Sequence, residues 1–223
     1  MSDTDSFIDE VTEEVRRDRM FLLLRRWGWV GALAVVAIVG GAAYNEYSKA
    51  RVQSQAERLG DNIIAALNED DTAARADKLS QIGAESSGGD AILKMLTASA
   101  QAGSDQADAA VQSLDAIASN GELPRIYRDI ASFKALTLQS ETLAVEDLRQ
   151  RFEALAQPGA PLRLLAEEQL ALIDIAQGEA DAAVTRLQAL IQDAEASTDL
   201  QQRAAQLIVA LGGTPELAPD QQG

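Results

Sequence analysis

Asp108-Ala109-Ala110-Val111 returns unchanged as Asp181-Ala182-Ala183-Val184, 73 residues further on. At the same offset Leu114 matches Leu187 and Ile117 matches Leu190. Within each copy the apolar residues fall three and four apart, the period of one helix face. Ala109, Ala110, Ala182 and Ala183 carry no bulk beyond Cβ, so a neighbouring helix can approach to the lower part of the about 8–10 Å range. The larger residues one turn later then fill the core. Self-similarity at such an interval marks stacked helical units, and the offset is close to twice the roughly 34-residue period of tetratricopeptide hairpins. Gly103 and Gly178 stand just before the two copies, where a tight reversal between helices is expected to need a positive φ.

Working outward, helical periodicity continues from Asn45 almost to the C-terminus, interrupted by Gly, Pro, Asn and Asp. The pattern predicts a helix running through about Leu67, then helices near 73–83, 90–102, 104–119, 124–139, 143–156, 160–177, 179–195 and 198–211. Val145, Leu148, Phe152 and Leu155 share one face of the helix between the two repeat copies. No short run alternates as a strand would, so the class is all-α. Short connections force antiparallel neighbours. A single hairpin cannot bury its apolar face, whereas a stack can. The expected fold is therefore a tetratricopeptide-like helical-hairpin solenoid over 45–211. Residues 212–223 form a flexible tail beyond Gly212, Gly213 and Pro215. An irregular helical bundle is the alternative.

Upstream, Trp27 to Tyr44 is eighteen residues without a charge. At 1.5 Å per residue such a helix spans about 27 Å, close to the thickness of a hydrocarbon core. Trp27, Trp29 and Tyr44 fall where interfacial aromatics belong. Arg16, Arg17, Arg19, Arg25 and Arg26 precede the span, whereas only Lys49 and Arg51 follow it closely. This asymmetry predicts that 1–26 stays in the cytoplasm and that everything after Tyr44 lies outside. A cleavable signal peptide fits less well, because its n-region would be 26 residues long with seven acids. The Arg pairs read as topology signals rather than as a twin-arginine leader. A buried core helix would not be flanked by Trp and Arg. Gly28/Ala32 and Ala37/Gly41 are small-residue pairs, but no face carries an unbroken stripe of them. Phe7, Val11, Val15 and Leu22 recur at helical spacing after a Ser6 cap, so 1–26 reads as a cytoplasmic amphipathic helix.

Composition then restricts chemistry. The chain holds no Cys and no His. Thiolate nucleophiles, disulfides and zinc-finger ligand sets are therefore excluded, and the usual neutral-pH acid–base group is missing. A net charge of −16 argues against a nucleic-acid partner. Asn68-Glu69-Asp70-Asp71 lacks the alternating ligands and central Gly of a calcium loop, so it reads as a helix-ending turn. Lys78 and Ser80 are close in sequence but accompany no oxyanion-hole motif. The expectation is a non-enzyme with no cofactor, no metal and no small-molecule substrate.

The segment Glu13-Glu-Val-Arg-Arg-Asp-Arg19, one membrane helix and a following helical domain together resemble the ancillary SecYEG translocon subunit family, the YfgM-like proteins, in alphaproteobacterial form. Arg128-Asp-Ile-Ala-Ser-Phe-Lys-Ala-Leu136 and the turn Pro158-Gly-Ala-Pro161 before Leu162–Leu172 are similar to that family too. The resemblance implies a bacterial inner-membrane protein with a periplasmic helical domain. It implies association with the Sec translocon and with a membrane-anchored periplasmic chaperone. Tetratricopeptide grooves hold peptides with side chains of the first helix of each hairpin, which points to Lys94, Arg128, Lys134, Arg163 and Gln169. Asp129, Glu167, Glu168 and Asp174 lie on the same helices, so a solvated charged face is the competing reading. The expected function is a membrane-anchored scaffold or adaptor for protein partners. The alternative is an accessory subunit docked by its membrane helix on a respiratory or transport complex.

Overall fold

The computed structural model describes the backbone of residues 3–216, and side chains of residues 26, 29–31 and 33–216. The side chains of Arg16, Arg17, Arg19, Arg25 and Trp27, the apolar residues expected to line the 1–26 helix, the Gly28/Ala32 pair and the end of the expected tail lie outside the described residues. Among the described residues the chain is all-α, with helices α1 (Asp3–Leu67), α2 (Thr72–Ser80), α3 (Ser87–Ala102), α4 (Ala107–Ala118), α5 (Arg125–Leu138), α6 (Val145–Leu155), α7 (Arg163–Ala176), α8 (Ala180–Gln192) and α9 (Thr198–Ala210). It divides into two compact units, Met1–Arg58 and Leu59–Gly223.

In the first unit, every described side chain from Trp29 to Gln53 is exposed. Trp29, Ile38 and Tyr44 are 64%, 72% and 75% accessible. A Cβ added at Gly31, Gly40 or Gly41 would meet nothing. This stretch of helix is long and apolar enough to cross a membrane. An exposed apolar band of this size is unstable against water, so it needs lipid or another apolar cover.

The second unit begins with the last turns of α1. Ile63 and Ala66 pack with Ala76 and Leu79 of α2 and with Leu93 and Ala100 of α3. From there each helix packs on its neighbour in sequence, and α3 also lies against α5. Asp71 caps α2 by accepting from the Ala74 N–H at 2.7 Å, so the acidic stretch before it is the expected turn. Ser86 and Ser197 cap α3 and α9 in the same way, each satisfying an N–H that the helix itself leaves free.

The repeat is more extensive than the tetrapeptide. An offset of 73 residues carries the starts of α2, α4 and α5 onto those of α6, α8 and α9, and α3 onto α7. Buried pairs follow it: Leu79 and Phe152, Ala98 and Ala171, Leu114 and Leu187, Ala131 and Ala204. The domain is thus a four-helix unit used twice.

Two expectations at the repeat need correction. Ala110 and Ala183 are fully buried, but Ala109 is half-buried and Ala182 exposed, so one alanine of each pair makes the close approach. Gly178 has φ +79, whereas Gly103 has φ −86 and the left-handed residue in its connection is Asp105 at φ 54. Gly103 serves packing instead, since a Cβ there would stand 3.1 Å from Thr72 Cγ2.

Residues 212–216, read from sequence as the start of a tail, fold back on the domain. Gly213 N–H donates to Ile208 O at 2.9 Å. The Gln188 amide accepts from Glu216 N–H at 2.9 Å and donates to Glu216 O at 2.6 Å.

Candidate partner-binding surface

Charged residues of α7 sit inside its apolar period. Ala166, Glu168, Leu170, Ala171, Ile173 and Asp174 are the buried positions of this helix. A buried carboxylate without a cation would be strongly disfavoured, and each acid here has one. Asp174, 1% accessible, accepts from Arg149 Nη1 of α6 at 2.5 Å and from Arg186 Nε of α8 at 3.1 Å. Glu168 accepts from Arg203 Nε and Nη2 of α9 at 2.7 and 2.8 Å. Arg186 also reaches Glu167. Burial works to lower the Arg186 pKa, but its bonds to Glu167 and Asp174 raise it overall. The solvated-face reading therefore does not hold for Glu168 and Asp174.

Arg163 is likewise committed within the fold. Its two terminal nitrogens lie 2.9 Å from Asp193 and 2.7 Å from Glu195. Those hydrogen bonds hold its pKa above the ordinary guanidinium value, and the same pair holds Asp193 below the ordinary carboxylate value. With Leu164, Glu167, Asp181, Arg186 and Leu190 it borders an open cavity of about 620 Å³ between α7 and α8.

The other expected groove residues are scattered. Lys94 is exposed on α3 and paired with Asp90 at 2.8 Å, one turn away. Arg128 is half-buried on α5, with its Nε unpartnered. Gln169 is half-buried on α7. Lys134 lines a second groove, about 390 Å³, bounded by Ala98, Ser99 and Ala102 of α3, Leu114 of α4, and Phe133, Thr137 and Leu138 of α5. Of the five, Lys134 lines this concave surface, and no carboxylate of the described residues is bound to it. Sequence reasoning missed the groove's apolar floor. The available signal was the run of small residues Ala98, Ser99 and Ala102 at three- and four-residue spacing.

Both hydroxyls in the groove are spent on their own helices. Ser99 Oγ donates to Met95 O and Thr137 Oγ1 to Phe133 O, each at 2.9 Å. What remains is an apolar trough with one ammonium at its rim. Among the described residues, no group of three or more acids is placed to hold a metal ion.

No family model, curated protein or solved structure matches this chain.

Proposed function

We propose that this protein is an inner-membrane scaffold, anchored by the helix around Trp29–Tyr44, whose helical domain holds protein partners in the periplasm. The observation that carries this reading is the fully exposed apolar helix near the N-terminus, in one chain with a domain of stacked helices. The five Arg before the span supply the orientation argument. The resemblance to YfgM-like proteins supplies the partners: the Sec translocon and a membrane-anchored chaperone. A tether raises the effective concentration of such a domain beside chains emerging from the membrane, so weak contacts suffice. The protein acts by holding rather than by converting a substrate.

A reporter active only in the periplasm, fused after Gly223, should be active. In vivo crosslinking of the intact protein should recover translocon components or a membrane-anchored chaperone. Recovery instead in fixed stoichiometry with a respiratory or transport complex would favour the accessory-subunit reading. A reporter active only in the cytoplasm would overturn the topology.

A further inference from the structure

We infer that the groove between α3 and α5 is a docking site for an apolar protein segment bearing a carboxylate, which Lys134 receives. The inference rests on the scaffold reading and names the chemistry of its partner.

The internal repeat shows how the groove is made. Moving its lining by 73 residues gives the equivalent positions in the second half of the domain. Ser99 becomes Leu172, Ala102 becomes Ile175 and Lys134 becomes Leu207, while Ala98 and Leu114 become Ala171 and Leu187. The floor is thus preserved; on the α3 wall the first half has the smaller side chains, whereas on α5 Phe133 and Thr137 stand where the second half has Gln206 and Ala210. In the second half Leu207 packs against the core cluster of α7, α8 and α9. The first half carries at that position an ammonium that no described carboxylate or carbonyl binds. The fold thus seats an apolar side chain at the position where the first half carries Lys134.

Charge identifies the occupant. Lys134 is the single charged residue among the groove's eight lining residues, in a chain of net charge −16. Lys78, Lys94, Arg125, Arg149, Arg163, Arg186 and Arg203 each bind an acid of this chain, so they are engaged already. An apolar ligand with one acidic side chain matches the trough and its rim. A basic ligand meets Lys134 by repulsion, and a purely apolar one leaves the ammonium without a counter-charge.

The test uses the full chain in lipid nanodiscs and two fluorescent helical peptides, identical in their leucine face. One carries a single glutamate beside that face and the other a lysine. Anisotropy should show the glutamate peptide binding about three- to tenfold more tightly, the range expected when a partly exposed attraction is exchanged for repulsion. Lys134→Glu should invert the preference, and Lys94→Glu, whose ammonium is already paired, should leave it unchanged. Ser99→Leu with Ala102→Ile should abolish binding of both peptides while helical circular dichroism persists. Equal binding of the two peptides, no binding of either, a preference that survives Lys134→Glu, or full binding by the filled variant would each overturn the proposal. Because these readouts do not depend on topology or in vivo partners, the groove and the scaffold reading fail separately.

Discussion

Arg203 on α9 grips Glu168 on α7 through two parallel hydrogen bonds of 2.7 and 2.8 Å, although 35 residues separate them. The fork of a guanidinium matches a carboxylate in this way and an ammonium does not. The repeat-equivalent positions in the first half are Met95 and Ile130, which share one apolar cluster. One architectural position is therefore closed by charge in one half and by methyl groups in the other.

Arg203→Ala should destabilise the domain by about 1–3 kcal/mol, because Glu168 keeps its burial and loses its partner. Arg203→Lys should restore less than half of that. Glu168→Met with Arg203→Ile, copying the first half, should be tolerated far better than either single change. Chemical denaturation of a fragment beginning at Asn45 measures the parent and the five variants, and the fragment should unfold cooperatively with helical circular dichroism.

Ala183→Leu places a large side chain where accessibility is 0%, and overpacking of this kind costs about 1–3 kcal/mol. Its neighbour Ala182 is exposed, so Ala182→Leu should stay within about 0.5 kcal/mol of the parent. Equal melting temperatures for the two variants would contradict the buried register of the repeat.

Acid should dissolve the tie between Arg163 and Asp193. The Asp193 carboxyl is held below its ordinary value of 3.8 by the Arg163 hydrogen bonds. A group with a lowered folded pKa contributes stability that is complete above its unfolded pKa and is lost as pH falls through the folded one. Parent protein should therefore exceed Asp193→Asn in stability at neutral pH, and the gap should close only as pH passes below 3.8. Urea titrations of both proteins at stepped pH measure it.

Gly178 holds φ +79, a conformation that costs a residue with a Cβ roughly 1–2 kcal/mol. Gly178→Ala should lower the melting temperature, and Gly178→Asn should lower it less.

The helices were legible because their boundaries are chemical. Asn68–Asp71, Gly103, Pro124, Pro158 and Gly178 interrupt the apolar period close to where the helices end. Five boundaries lie three residues from the expected ones: the end of α2, the starts of α3, α4 and α7, and the end of α8. At α4, which begins at Ala107 rather than 104, the cause is the left-handed turn at Asp105, which non-glycine residues adopt seldom. The ionic ties were less legible, since Arg149, Arg186 and Arg203 lie on different helices from the acids they meet. A trace of them was nevertheless present: Glu168 and Asp174 fall on the buried period of α7, and such acids require cations. The groove escaped notice because a concavity depends on what three helices omit, and periodicity records only what each one carries.

The distribution of those ties has a consequence for how the domain opens. Arg149, Arg186 and Arg203 join α6, α7, α8 and α9 across their interfaces. In α3, α4 and α5 the described ion pairs, Lys94–Asp90 and Arg125–Asp129, each stay within one helix. Contiguous regions that share such couplings open as cooperative units. Amide protons of α3 to α5 and those of α6 to α9 should therefore exchange on separate time courses. The groove lies in the half without those ties, where its two walls can part to admit a side chain without unlatching the other four helices.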